Sequence, residues 1–222
     1  MPTDLLQIHR QLAAIAHNGL TFTKDPFDRE RYTHLQHLAA ELLTAGPNDP
    51  LLPRIRQLLA HEPIGYQTPK LDVRAVVYRN FTTPEPCILL VQEKMDDNRW
   101  TLPGGWVDIG DSPSTATERE CLEETGYAVR AVELLSLWDR DHPRHGHPPI
   151  PHHSWKVFFR CEELTPNASP QPLASDIETQ SAQFFTETQS LSLDLSETRL
   201  TRSQLTFLYA RANSASLPAA FD

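Results

Sequence analysis

The sequence predicts an α/β domain preceded by a small all-α domain. Three observations carry this: apolar residues recur at helical spacing through residues 1–62, strand-like alternation and short apolar runs replace that spacing from Val73 onward, and one helix bounded by proline and glycine lies among the strands. With 222 residues, 39% of them apolar and 22% charged, the chain can hold one large domain, or a modest one with a small companion, around a real core.

In the first segment Leu5, Ile8, Leu12 and Ile15 mark a helix after Thr3 and Asp4, with Gly19 as its stop. Asp25 and Pro26 open a second helix, whose Phe27, Tyr32, Leu35, Leu38 and Leu42 share one face up to a stop at Gly46 and Pro47. A third, shorter helix falls between Pro50 and Ala60 and holds Leu52, Ile55, Leu58 and Leu59. Three short helices make a thin core, so residues 1–62 are expected to pack on the larger domain or on a second subunit. Most of His9, His17, His34 and His37 are expected to be solvated.

HEPIGYQTPK, residues 61–70, reads as the linker, and the second domain runs over residues 67–222. Val73, Ala75 and Val77 alternate with Arg74, Val76 and Tyr78, and Cys87 to Val91 is a near-continuous apolar run, so the two form a hairpin through the turn residues 82–86. Further strands are expected at Val129–Trp138, Ser154–Cys161 and Ala182–Phe185, with a closing helix over Arg202–Arg211.

The net charge of −9 argues against a nucleic-acid surface, so an anionic substrate has to be received through a metal and locally placed arginines. No apolar run approaches membrane-spanning length, and MPTDLLQIHRQL lacks the pattern of a signal peptide; a cytoplasmic location is expected. Cys87, Cys121 and Cys161 are far apart and read as buried reduced thiols.

Residues 104–127, GGWVDIGDSPSTATERECLEETGY, carry the chemistry. A loop feeds a helix from Pro113 to Thr125, with Gly126 just past its end. Glu120, Glu123 and Glu124 are three and four residues apart and project from one side of it. A solvated acidic face is the plain reading, but such a face rarely comes with glycine turns at both ends. A hard cation, Mg²⁺ or Mn²⁺, explains the set better. Arg119 is placed to orient the glutamates, most simply by pairing with Glu123 one turn on.

This run resembles the Nudix box: Gly105 in first place, Arg119 and Glu120 as the central pair, Cys121 in the apolar place, Glu123 and Glu124 as the acidic pair, then Gly126 and Tyr127. Where the family has its first glutamate, this chain has Asp111, one methylene shorter. The resemblance implies an α/β/α sandwich over residues 67–215, a mixed sheet with the box helix on one face and the last helix on the other. It also implies a metal ligand at the Gly104 carbonyl and a general base that is either a box glutamate such as Glu124 or a glutamate on a later loop, the place of Glu178. TPKLDVRAVVYR, WTLPGGWVDIGDSPS, LWDRDHPRHGHPPIPHHSWKVFF and LSLDLSETRLTRSQL resemble a Nudix branch with an N-terminal helical domain. Members of that branch are dimeric pyrophosphatases of nucleoside diphosphate derivatives, CDP-choline and ADP-ribose among them.

A homodimer acting on a small nucleotide substrate is therefore expected, with the substrate open between the CDP-choline and ADP-ribose types. A non-catalytic nucleotide sensor and an interaction protein built on the N-terminal helices are the other readings, and the complete Arg-Glu and Glu-Glu pairs count against the first. Arg74 and Arg140 are candidates for phosphate contact, with solvated surface charge as the competing reading. Trp106 is a candidate for stacking on a base, as is Tyr66; for Trp138 and Trp155 a core position is favoured. The histidines of residues 139–153 read as a substrate-facing or interface loop in preference to a zinc site.

Overall fold

A computed structural model of the chain describes residues 5–44, 49–60, 65–81, 83–150, 152–166, 179–212 and 217–222. The chain divides into two compact units, residues 1–69 with 151–153, and residues 70–150 with 154–222. No described helix is long and apolar enough to cross a membrane.

The first unit contains α1 (Leu5–Phe22), α2 (Pro26–Glu41) and α3 (Leu52–Ala60). Asp25 caps α2, its side chain accepting from the N–H groups of Phe27 and Asp28 at 2.9 Å, with Pro26 in the first turn. Gly19 does not end α1, which continues to Phe22. A Cβ at Gly19 would lie 2.4 Å from the Tyr32 ring, so the glycine is there to let α2 approach α1. Glycine inside a helix costs about 1 kcal/mol relative to alanine, which this packing offsets. On α2 the buried residues are Ala39 and Ala40, whereas Phe27 is 67% exposed and Leu38 is also exposed. The expected stripe is thus rotated, because two small residues seat the helix more closely than large ones. The expected stop at Gly46 and Pro47 lies outside the described residues. His9 and His17 are buried, and His9 Nδ1 lies 2.7 Å from the Ala39 carbonyl, while His34 and His37 are exposed. Leu5, Ile15, Phe22 and Leu51 are exposed as well.

The second unit runs β1 (Lys70–Arg79), β2 (Cys87–Glu93), β3 (Arg99–Thr101), α4 (Pro113–Thr125), β4 (Val129–Asp139), β5 (Ser154–Glu163), β6 (Thr179–Thr186), α5 (Glu187–Leu191), α6 (Arg202–Ala212) and β7 (Ala220–Phe221). The sheet is mixed. Its order is β3-β2-β1-β5-β4-β7, with β6 also paired to β2; β1 runs parallel to β5, and β2 antiparallel to β1. β1 and β2 pair only at Tyr78–Ile88 and Arg79–Cys87, because the chain leaving β3 enters between them. There Ala75 N–H donates to the Pro103 carbonyl at 2.8 Å, Val73 N–H to Gly105 at 2.9 Å, and Val107 N–H to Leu71 at 3.1 Å. The glycine loop is therefore stitched into the sheet.

Alternation along β1 sends Val73, Ala75 and Val77 to one face and Val76 to the other. α4 covers the first face through Ala116 and Cys121, and α6 the second through Leu205, Leu208 and Tyr209, which makes the expected three-layer sandwich. Cys121 and Cys161 are buried and free, Cys87 partly buried and free, and burial pushes the Cys121 thiol up to about 12. The short α5 and β7 have no counterpart in the sequence reading.

Candidate active site

The box helix begins and ends where its sequence signals place it. Ser112 is the N-cap, its Oγ accepting from Thr115 N–H at 3.2 Å while Thr115 Oγ1 accepts from Ser112 N–H at 2.9 Å; Gly126 closes the helix at φ +74°, donating to the Leu122 carbonyl. The glycine pair sets the loop against this helix. Gly104 has φ +139°, and a Cβ on it would fall 2.0 Å from the Val73 carbonyl oxygen; one on Gly105 would meet the Glu120 carboxylate at 3.2 Å. A side chain at Gly104 would push the loop off β1, and one at Gly105 would crowd the Glu120 carboxylate.

Arg119 gathers most of the acidic groups. Its Nη1 lies 2.9 Å from both Glu120 Oε1 and Glu123 Oε2, its Nε donates to Asp111 Oδ2 at 3.2 Å, and its Nη2 to Asp108 Oδ2 at 3.4 Å. Asp111, despite its shorter side chain, still reaches the arginine. Asp108 was not singled out from the sequence, although DIGD places it three residues before Asp111. Glu124 turns the other way and accepts from Gly104 N–H at 2.8 Å. It is 8% exposed, and burial pushes its carboxyl up to about 8 against the opposing pull of Arg74 and the Gly104 N–H. Burial also raises Glu120, with Arg119 opposing.

The ligand atoms of Glu120, Glu123 and Glu124 are not all within 4.8 Å of one another in this arrangement. The reason lies in their partners: Arg119 draws Glu120 and Glu123 to itself, and the Gly104 N–H holds Glu124. The donor set nevertheless fits a hard divalent cation, being three carboxylates on neighbouring positions of one helix with no sulfur or imidazole among them.

Around this centre the other expected site residues divide. Arg74, on β1, is buried and is no solvated charge: Nε donates to Asp72 Oδ1 at 2.8 Å and Nη1 to the Leu102 carbonyl at 3.1 Å, with the Glu124 charge near enough to act on it. Asp72 also accepts from the buried Lys156. The two cations outweigh burial and hold Asp72 below the usual carboxylate range, while burial lowers Lys156 to about 8. Arg140 fits neither expectation. It is 2% exposed, and its guanidinium donates to the Thr198 carbonyl at 3.1 Å, the Pro148 carbonyl at 2.7 Å and Asp141 at 3.0 Å, so it braces the loop that follows β4 from inside. Trp106 is 44% exposed beside the glycine loop, with Lys70 Nζ 5.9 Å from its ring centre. Trp138 is core, but Trp155 is 43% exposed, and Tyr66 of the first unit is exposed too. Glu178 lies outside the described residues. Glu93, at the end of β2, is buried and pairs with Arg199 at 2.5 Å, a contact across 106 positions of sequence that nothing local announces.

Two histidines of the loop, His145 and His147, are turned inward, against expectation, while His142 is exposed. His145 is buried against Trp138 with Nε2 3.0 Å from Asp222 Oδ1, and His147 Nδ1 lies 2.6 Å from the Glu197 carbonyl. Burial lowers both, His147 to about 3, so these rings are neutral struts. His142, His145 and Asp222 present ligand atoms within 4.8 Å of one another, but Arg144 Nη2 already sits 2.6 Å from Asp222 Oδ1, where a cation would bind.

A mixed sheet between helices, with an Arg-Glu and Glu-Glu helix docked behind a glycine loop, defines a hydrolase of the Nudix class. Comparison with known proteins agrees. The NUDIX domain model matches residues 68–204, and the model described as UDP-X-like, N-terminal oligomerisation domain matches residues 3–58. The Bacillus subtilis (strain 168) protein YjhB, named provisionally as an ADP-ribose pyrophosphatase, is 40% identical over 207 residues, 93% of this chain and 91% of that protein. A crystal structure titled UDP-X diphosphatase is 33% identical with a TM-score of 0.54 and covers 93% of each chain. The structure of an ADP-ribose pyrophosphatase from Streptococcus suis 89-1591 is 31% identical with a TM-score of 0.55, over 70% of this chain and 100% of that one. The chain belongs to the Nudix hydrolases and carries the N-terminal domain of the UDP-X-like type.

Proposed function

We propose that the protein cleaves the diphosphate of a nucleoside diphosphate linked to a small group, releasing a nucleoside monophosphate and the phosphorylated remainder, with Mg²⁺ or Mn²⁺ as cofactor. The observation that carries this is the Arg119, Glu120, Glu123, Glu124 constellation docked behind Gly104 and Gly105. Relatives that match almost the whole chain and are named for ADP-ribose and UDP-X support the substrate class. Glu120, Glu123, Glu124 and the Gly104 carbonyl would hold the ion. Once bound, it supplies charge neutralisation at the diphosphate and an acidified water.

The protein's own groups do the rest. Arg119 keeps Glu120 and Glu123 aligned through its shared Nη1, Arg74 offers its guanidinium to a phosphate oxygen, and Trp106 offers an exposed ring to the base. The proton from the attacking water passes to Glu178 or to a box glutamate such as Glu124. Glu178→Gln separates the two: as the base, Glu178 is expected to cost kcat and flatten the alkaline-going limb of the pH profile, whereas an unchanged profile assigns the proton to the box.

In this reading the domains span residues 1–62 and 67–222, and the first makes a cytoplasmic homodimer through its exposed Leu5, Ile15, Phe27 and Leu38. The substrate is tested by offering CDP-choline, ADP-ribose and UDP-linked compounds to the full-length protein with Mg²⁺, with and without chelator, and detecting products by phosphatase-coupled phosphate release. Chelator-sensitive release from a member of the panel is expected, and inertness toward all of them overturns the proposal.

A further inference from the structure

Arg74 is held from behind by two residues that the diphosphate reading leaves unused. Asp72 and Arg74 are two apart on β1, so their side chains leave the same face of the sheet, and Lys156 is the residue paired with Asp72 on the parallel strand β5. All three are buried. Asp72 Oδ1 accepts from Arg74 Nε at 2.8 Å, and Asp72 Oδ2 accepts from Lys156 Nζ. One carboxylate thus serves two cations, leaving the trio a net charge of about +1 at neutral pH, when all three are ionised.

An unbalanced buried charge is costly and is kept where something uses it. Three neighbouring charges act on the trio: Glu124 from α4 and Glu93 from β2 on Arg74, and Arg140 from the loop after β4 on Lys156. Two are already paired, Glu93 with Arg199 at 2.5 Å and Arg140 with Asp141 at 3.0 Å. What remains is Glu124 and the glycine loop. Arg74 leads there, since its Nη1 bonds the Leu102 carbonyl two residues before Gly104, and its Nη2 hydrogen-bonds nothing among the described residues.

We propose that Lys156 and Asp72 are positioning residues for the diphosphate: by taking the second oxygen of Asp72, Lys156 lets Asp72 orient Arg74 without neutralising it, so the guanidinium delivers net positive charge to the substrate phosphates at the glycine loop. The inference rests on Arg74 as a phosphate contact, as proposed above. Without the Lys156 charge, Arg74 and Asp72 become a closed neutral pair that attracts a diphosphate weakly.

The test is a double-mutant cycle in the full-length protein, with kinetics on the best-hydrolysed member of the panel at saturating Mg²⁺. Lys156→Met is expected to raise KM about ten-fold with kcat within about three-fold, and to change KM less than about two-fold in an Arg74→Ala background. Lys156→Gln, which keeps a donor for Asp72 but no charge, is expected to reproduce the KM rise and serves if the methionine variant does not fold. An equal KM effect in both backgrounds, or a lowered melting temperature with unchanged KM, overturns the inference. If the wild type hydrolyses no member of the panel, the functional reading fails on that result alone. The same cycle is then read as calorimetric affinity for ADP, CDP and UDP, where an absence of coupling overturns the inference separately.

Discussion

The box helix and the loop over residues 139–150 both carry dense runs of titratable side chains, and they end in opposite electrical states. In the box, Glu120, Glu123, Asp108 and Asp111 all draw on the one guanidinium of Arg119, so negative charge is left over, and Glu124 is buried beside them with the Gly104 N–H as its hydrogen-bond donor. In the loop, Arg140 is closed by Asp141 and two carbonyls, Arg144 pairs with Asp222, and burial lowers His145 and His147, so its cations are already partnered within the fold. A site is marked by incomplete compensation on a rigid element, whereas a concentration of reactive residue types fits a structural brace equally well.

Three substitutions sharpen or break that contrast. The largest effect is expected from Glu124→Gln, whose amide oxygen can still accept from Gly104 N–H, so the fold is retained while kcat falls on the order of 10²-fold or more. Turnover near that of the wild type would put the box on a level with the loop. Arg140→Ala is expected to act on stability, at about 2–4 kcal/mol, because it strands two carbonyls and Asp141. Its kcat/KM well below the melting temperature should stay within about three-fold of the wild type; a larger loss would return Arg140 to the substrate.

The smallest effect is the pH dependence contributed by His147. Burial holds its folded value at about 3, below the ordinary 6.5. Between those values the unfolded chain binds more protons than the folded one, so stability is present above pH 6.5 and is lost as pH falls toward 3. Denaturant melts at pH 7 and pH 5 are expected to differ by on the order of 1 kcal/mol more in the wild type than in His147→Gln, after allowance for partial exposure. The same difference in both proteins would mean that the ring is not held neutral.

Much of the box was legible because its signals are local. Pro113 and Gly126 bound the helix, and the spacing of Arg119, Glu120, Glu123 and Glu124 fixes which side they share. The fold's alternation was legible for the same reason, as Val76 and its neighbours on β1 divide between two cores. Partnership between distant residues was not legible. Lys156 meets Asp72 across 84 positions, and the burial of Arg74 and Arg140 depends on carbonyls supplied by other segments. Gly19 misled because a glycine that admits a neighbouring ring and one that ends a helix look alike in one dimension. α5 and β7, at five and two residues, are too short to establish a period.

The most direct test of where the chemistry lies is a Mn²⁺ titration followed by electron paramagnetic resonance on the full-length wild type, Glu124→Gln and His142→Ala. Glu124 belongs to the uncompensated set, and His142 is the exposed histidine of the compensated loop. Glu124→Gln is expected to weaken Mn²⁺ binding by about ten-fold or more, with His142→Ala unchanged. Retained affinity in Glu124→Gln together with lost affinity in His142→Ala would contradict the assignment and move the metal to the loop.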